Sequence, residues 1–330
     1  MNKLEKILQD SSIPKDIKKM VNSLSSEGKE ALNSMYDEES DFFIHAHPTN
    51  IAKRFWADPH DFPTLYHYTD INGLKGILSS KKVRIGSQYY MNDPEENIYT
   101  IDLARQYLVD NNVSNEVVNF FIKDFTRLIF DAYIWSFTNN DHSESLLAYG
   151  DFAIEFDNQE VQEAMVEKIN PGINSFEQME NGNSYIFPLR VEYNEEVQKE
   201  YISVIMSTYL KAYKNLKIDQ PDMYEIMNNC YRALSIFALC FKNPLLYQEE
   251  EIRFVAVRKH NDNLLHPDKV INNKPYIIFP LDQSLIKKII YSRNVKDISA
   301  IKNVLKINDF DASLLEKTKL PYGRKEWQKK

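Results

Sequence analysis

The chain has 330 residues, of which 43% are hydrophobic and 12% aromatic, a composition that supports a buried core and excludes disorder over the whole length. Its net charge of -8 disfavours a protein that binds nucleic acid over its whole surface, because phosphate contacts require clustered Lys and Arg. Only 8 residues are glycine, and neither G-x-G-x-x-G nor a Walker loop is present.

Neither export nor membrane insertion is expected from the sequence. No apolar run approaches the ~18 residues that a membrane helix needs, and Lys3, Glu5 and Lys6 place charges where a signal peptide has its apolar region. We therefore expect a soluble cytoplasmic protein without a membrane partner. Cys230 and Cys240 lie in an apolar helical pattern and are expected to be buried thiols, not a disulfide scaffold.

The chain divides by pattern into three parts. Residues 1–60 repeat apolar side chains at helical spacing and are predicted to form an N-terminal helical extension. Residues 61–315 contain both strand and helix patterns and are predicted to form the main domain. Residues 316–330 are basic and are expected to be a solvated tail.

The main domain opens with a predicted strand at Leu65–Tyr68, followed by a helix for which Asp70 is the expected N-cap. A further helix start is predicted at Asp93, because Pro94 occupies the first helical position. The other predicted strands are 82–85, 132–138, 152–157, 186–193, 249–257, 276–281 and 286–292. The other predicted helices are about 116–130, 195–241 with a break at Pro221, and 297–305.

These elements predict the fold class. Strands and helices interleave without regular βα alternation, so we expect an α+β fold and not a doubly wound sheet. The core is predicted to be a mixed, largely antiparallel sheet with surrounding helices.

Four segments in this order resemble a bacterial family of unknown function, DUF2971. They are L-Y-H-Y-T at 65–69 with G-L-x-x-I-L at 73–78, N-D-P at 92–94, S-F-T at 136–138 with Tyr149, and Tyr247 with E-x-E-x-R at 249–253. The resemblance covers roughly residues 64–315. The chain departs from the family pattern at Leu146, where the family carries a Trp.

The opening strand and helix also resemble, more loosely, the start of ADP-ribosyltransferase folds. This resemblance implies NAD as the substrate, no metal, and transfer of ADP-ribose to a protein or nucleic-acid acceptor. It also implies the role of a bacterial toxin or defence protein. The sequence leaves the acceptor and the oligomeric state open.

Glu251 is the candidate catalytic carboxylate. Breaking the bond between nicotinamide and ribose gives the ribose oxocarbenium character, which a nearby carboxylate stabilises. Glu249, Glu251 and Arg253 alternate on a predicted strand and should share one face. The resemblance assigns NAD to the second Glu of such a pair and the nucleophile to the first, with Arg253 as a cofactor-binding residue. A solvent-facing Glu–Arg ladder is the alternative.

Four further residues are candidates for holding NAD. His67 could bind a ribose, because an imidazole can donate to one hydroxyl and accept from another, and Thr69 could support it. Ser136 could bind the ribose or support the carboxylate, and Tyr149 could stack on nicotinamide. Tyr68 points away from His67 and is expected in the core. An ordinary structural role is the alternative for each.

Two other functions stay open. A non-catalytic ligand- or protein-binding module on a degenerate version of the fold would leave these residues with structural roles. A metal-dependent nuclease or phosphotransferase would use Glu155 and Asp157, a same-face acidic pair, together with Asp93 and Glu251.

Overall fold

The structure is a computed structural model that describes residues 3–91, 96–128, 132–169, 184–216, 221–258 and 267–320. The chain forms two compact units, each assembled from three separate segments. The helical unit consists of Met1–Phe55, Asp93–Ile129 and Glu192–Pro244, and the sheet unit consists of Trp56–Asn92, Phe130–Val191 and Leu245–Lys330. The domain boundaries expected at residues 60 and 315 stay a prediction.

In chain order the helices are α1 (Lys3–Gln9), α2 (Lys15–Asn22), α3 (Ser26–Tyr36), α4 (Asp41–Ala46), α5 (Pro48–Arg54), α6 (Ile71–Ser80), α7 (Glu96–Asp110), α8 (Asn115–Leu128), α9 (Asn158–Ile169), α10 (Glu195–Asn215), α11 (Pro221–Cys240) and α12 (Ser299–Ile307). Among the described residues, none of these helices is both long enough and apolar enough to cross a membrane. The helix start predicted at Asp93 lies outside the described residues.

Short polar side chains determine where several helices of the helical unit begin. The hydroxyl of Ser25 accepts a hydrogen bond from Gly28 N at 3.1 Å at the start of α3, and that of Ser40 accepts from Phe43 N at 3.0 Å at the start of α4. Each bond satisfies an amide that has no partner within the first turn of its helix.

A buried glutamine connects separate segments of the helical unit. Gln198 is fully buried in α10, and its Nε2 donates to the carbonyl oxygens of Glu192 at 2.6 Å and Lys242 at 2.9 Å. Its Oε1 accepts from the hydroxyl of Tyr99 in α7 at 2.7 Å. Both donors and the acceptor of this amide are therefore used, as a buried polar group requires.

The two cysteines are buried in α11 as free thiols, which confirms the prediction made from their apolar surroundings. Burial raises the pKa of the Cys230 thiol well above its ordinary value. A protonated, enclosed thiol is a packing group and not a nucleophile.

The sheet unit contains a ten-stranded mixed sheet. Its strands are β1 (Thr64–Thr69), β2 (Lys82–Ser87), β3 (Ala132–Thr138), β4 (Phe152–Asp157), β5 (Ser184–Arg190), β6 (Glu251–Arg258), β7 (Lys269–Ile271), β8 (Lys274–Pro280), β9 (Ile286–Tyr291) and β10 (Leu315–Lys317). The strand order is β10-β9-β4-β1-β3-β2-β8-β7, and the sheet branches where β6 pairs with both β3 and β5. Only β9 and β10 pair in parallel among the described strands, which confirms the α+β fold class.

One face of the sheet carries the core of the sheet unit. Trp135 in β3 contacts the rings of Phe137, Phe156 and Phe279, with centroids 4.5, 5.4 and 5.6 Å away. Apolar side chains of α6, α9 and α12 complete this cluster. Each large side chain that is fully buried contributes about 1.5–3 kcal/mol, so this cluster is a major source of stability for the sheet unit.

The first part of the predicted tail belongs to the sheet. Leu315–Lys317 form β10 beside β9, and Thr318 N donates to the carbonyl oxygen of Tyr291 at 2.8 Å. A parallel edge strand of three residues has too few side chains to produce a visible alternation. Residues 321–330 lie outside the described part of the chain.

Gly150 permits a close backbone approach at the start of β4. A Cβ atom at this position would overlap the carbonyl carbon and oxygen of Thr69 and the amide nitrogen of Asp70. These are main-chain atoms at the end of β1, and they cannot rotate away as a side chain could. Only glycine fits here without displacing β1.

Gly150→Ala should therefore lower the free energy of unfolding by about 3 kcal/mol, measured by urea denaturation. Gly76→Ala is the matched control, because a Cβ on this exposed position of α6 meets no atom within 4 Å. The control should raise stability by about 0.5–1 kcal/mol. Similar effects of the two substitutions would contradict the close approach.

Candidate functional site

The strand predicted over 249–257 begins two residues later than expected, at Glu251. Glu249 ends a 3-10 helix, Pro244–Glu249, and Glu250 has a φ of 45°, in the left-handed region that residues other than glycine seldom adopt. This turn interrupts the two-residue alternation. The prediction that Glu249 shares a strand face with Glu251 and Arg253 is therefore wrong, and only the last two alternate on β6.

Glu251 and Arg253 form a buried ion pair. Arg253 Nη2 donates to Glu251 Oε2 at 2.8 Å, and the side chains are 0% and 7% exposed for Arg and Glu. On β3, Thr138 lies opposite Glu251 and Ser136 lies opposite Arg253. The Arg253 side chain has no exposure to water and that of Glu251 has little, so the ion pair compensates much of the cost of burying the two charges.

The two preceding glutamates are held by a loop of residues 139–151, which joins β3 to β4. Glu249 Oε1 accepts from the hydroxyl of Tyr149 at 2.9 Å, and Glu250 Oε2 accepts from Asn140 Nδ2 at 2.7 Å. The hydroxyl of Ser145 donates to the carbonyl oxygen of Gln248 at 2.8 Å. Three successive glutamates thus have three different partners.

A cleft of 270 Å³ lies between this loop and the 3-10 helix. Its lining includes Asn140, His142, Glu144, Tyr247 and Glu250. Tyr247 is largely exposed at its edge. The cleft is polar and acidic and carries an exposed aromatic side chain. These features suit the binding of a polar ring compound.

The structure does not bring His67 and Thr69 together with Glu251. Tyr66 lies opposite Thr138, and Thr138 lies opposite Glu251, so these three residues share one face. Successive residues of a strand point to opposite faces. His67 and Thr69 therefore lie on the apolar face and Glu251 on the other.

His67 serves to join two strands. Its Nδ1 donates to the carbonyl oxygen of Ser136 at 2.9 Å, and its ring lies edge-on to Trp135 and Phe137 with centroids 6.0 and 6.1 Å away. Burial lowers the pKa of His67, and the hydrogen bond to Ser136 opposes this effect in part. The neutral imidazole is the form that fits this position.

Tyr68 faces away from the apolar core, contrary to the prediction. Its hydroxyl donates to the carbonyl oxygen of Asn140 at 3.2 Å and accepts from Ser143 N at 2.9 Å. Burial raises the pKa of Tyr68 to about 12. The sequence patterns did not indicate Tyr68 as the anchor of the 139–151 loop, nor Asn140 and Glu250 as residues of the site. The run of three glutamates was the signal that could have located Glu250.

Ser136 lies on the same sheet face as the ion pair. Its Oγ is buried and has no hydrogen-bond partner within the described ranges. The residue directly opposite on β6 is Arg253. Of the two roles predicted for Ser136, the position fits support of the carboxylate through the buried pair.

The acidic residues considered for a metal are engaged elsewhere. Glu155 Oε2 lies 3.5 Å from Lys288 Nζ, and Asp157 Oδ1 accepts from Glu160 N at 3.0 Å at the start of α9. Asp93 lies outside the described residues. Where the structure describes the chain, no group of three or more His, Cys, Asp or Glu side chains is placed to hold a metal ion.

A scan against protein-family models, a search of curated proteins and a search of solved structures each found no match. The resemblances to DUF2971 and to ADP-ribosyltransferases stay predictions from the residues that carry them. The chemistry of the site has to be inferred from its own residues and distances.

Arg253→Met should lower the free energy of unfolding by about 3–5 kcal/mol, because it leaves Glu251 buried without its guanidinium. The double variant Glu251→Leu/Arg253→Met is the matched control and should cost much less, since it removes both charges. Urea denaturation measures both values. If Arg253→Met were as stable as Glu251→Leu/Arg253→Met, Glu251 would not depend on Arg253 for its burial.

Acidification should destabilise the protein through His67. Because burial lowers its folded pKa below the unfolded value of 6.5, the unfolded chain binds more protons below that pH, and stability falls as the pH drops through about 6.5. His67→Gln should reduce the loss of stability between about pH 7.5 and about pH 5. His60→Gln, at an exposed position, should leave that loss unchanged, and an equal change in both variants would refute the assignment.

Proposed function

We propose that this protein cleaves the bond between nicotinamide and ribose in NAD and transfers ADP-ribose to an acceptor. The observation that carries the proposal is the position of Glu251, a nearly buried carboxylate bound to Arg253 at the start of β6. Glu250, the neighbour of Glu251 in sequence, lines the cleft of 270 Å³, and the proposal assigns the substrate to this cleft.

The ion pair suits the charge that develops in this reaction. As nicotinamide leaves, positive charge builds up on the ribose, and a carboxylate fixed in a region of low dielectric stabilises it. Arg253 Nη2 donates to Glu251 Oε2 and holds the carboxylate in one orientation, and we assign this carboxylate to the developing charge on the ribose. Arg253 is fully buried, which supports a positioning role and not the contact with NAD expected from the sequence.

The 139–151 loop supports binding of the substrate. The hydrogen bond of Tyr149 to Glu249 holds a partly exposed ring, which we assign to stacking on nicotinamide. Glu249, which is half-buried beside Tyr149, is assigned to the acceptor nucleophile. His67 and Thr69 lie on the apolar face, so in this proposal they stabilise β1 and do not touch NAD.

One observation favours the binding module as a second candidate. Each of the three glutamates already has a partner within the protein, and the side chain of Glu251 is only 7% exposed. Carboxylates that already accept hydrogen bonds from the protein can have a purely structural role. The cleft would then bind a ligand without turnover.

Release of nicotinamide from NAD, followed by chromatography, tests the proposal. Glu251→Gln should keep NAD binding and lower turnover by about 10²-fold or more, because the lost interaction belongs to the transition state. Glu249→Gln should spare NAD hydrolysis and impair transfer to an acceptor. Nicotinamide release should not require magnesium.

Glu163→Gln is the matched control, because it removes one negative charge from an exposed position of α9 in the same unit. Its turnover should equal that of the wild type. NAD binding by a wild-type protein that releases no nicotinamide would favour the binding module. Equal turnover by wild type and Glu251→Gln, at equal folded concentration, would end the assignment of Glu251.

A further inference from the structure

The helical unit contains a cavity of 430 Å³ that the proposed function does not use. It is formed by α4, α5 and the first two turns of α10. Ile44, Val197 and Tyr201 contribute its apolar part. A water molecule occupies about 30 Å³ in the liquid, so the cavity is large enough for a small organic molecule.

The polar part of this cavity is predominantly basic. His45, Lys53 and Arg54 line it, against a single carboxylate, Glu200. Lys53 and Arg54 outnumber Glu200 among the charged side chains that line the cavity, which favours an anionic group beside them.

Two of the lining side chains are already oriented by the protein. The ring of His45 forms a hydrogen bond through Nδ1 with the carbonyl oxygen of Asp41 at 2.9 Å. A carbonyl oxygen only accepts, so Nδ1 carries a proton. Asn50 Nδ2 donates to the carbonyl oxygen of Phe43 at 3.0 Å. Side chains held in this way lose little entropy when a ligand binds.

Aromatic packing fixes the floor of the cavity. The ring of Tyr201 lies edge-on to His45, with centroids 5.2 Å apart, and it also contacts Phe55, Phe237 and Phe241. The hydroxyphenyl group is thus held by four rings and cannot move away when the cavity fills. A rigid apolar floor beside a basic rim suits a ligand that has a ring at one end and an anionic group at the other.

We propose that this cavity binds a small phosphorylated ring compound of the nucleoside monophosphate class. The phosphate lies at Lys53 and Arg54, because a guanidinium and an ammonium group are the side chains best suited to phosphate oxygens. The ring lies against Ile44, Val197 and Tyr201. The site is separate from Glu251 and does not depend on cleavage of NAD.

Titration calorimetry of the full chain with adenosine 5′-monophosphate tests the proposal. Lys53→Gln/Arg54→Gln should weaken binding about tenfold or more, because hydrogen bonds between charged groups are lost. Lys15→Gln/Lys19→Gln is the matched control, since it removes the same charge from α2 of the same unit, and its affinity should equal that of the wild type. Glu200→Gln should bind more tightly, because the one negative charge of the lining is gone.

Three outcomes would overturn the proposal. The first is that the wild type does not bind the nucleotide. The second is that Lys53→Gln/Arg54→Gln and Lys15→Gln/Lys19→Gln weaken the affinity equally at matched folded content. The third is that Glu200→Gln binds the nucleotide more weakly than the wild type. Inorganic phosphate provides a further test, because binding as tight as that of the nucleotide would overturn the assigned role of the apolar floor. A saturating concentration of the nucleotide should leave the affinity for NAD unchanged, and competition between the two ligands would place the nucleotide at the proposed NAD site.

Discussion

The candidate site depends on the buried ion pair between Glu251 and Arg253. Two charges removed from water cost several kcal/mol each, and their attraction repays that cost only with good geometry. β6 provides this geometry because it is paired along its length with β3 and β5. Residues 251 and 253 are held about 6.7 Å apart on one face of a strand, and the long Arg side chain returns to meet the carboxylate. Such a pair contributes little net stability, but it gives the carboxylate one orientation.

The turn before β6 places the remaining groups of the site. The left-handed conformation of Glu250 lets three adjacent glutamates point to three environments: the loop tyrosine, the loop asparagine and the buried arginine. A regular strand would have put the first and third on the same face. The loop is tied in turn to β1 through the hydroxyl of Tyr68, so β1, β3 and β6 together determine the shape of the cleft.

Local patterns predicted much of the fold. Asp70 caps α6 through a bond from Gly73 N at 2.7 Å, as predicted, and β3 and β4 have the predicted bounds. The face of β1 could not be predicted in the same way. His67 and Tyr68 are adjacent, and contacts with residues distant in sequence, such as Trp135 and Phe137 beside the His67 ring, decide which of them meets the core. The φ of Glu250 and the branch at β6 likewise arise from tertiary contacts that leave no periodic signal.

A crystal structure of the protein with a non-hydrolysable NAD analogue tests the central claim most directly, because it locates the ribose without relying on turnover. We expect a ribose hydroxyl within about 3 Å of the Glu251 carboxylate, with the Arg253–Glu251 bond intact and the nicotinamide ring against Tyr149. An analogue bound in the cleft with its ribose away from Glu251, or bound elsewhere on the protein, would contradict it.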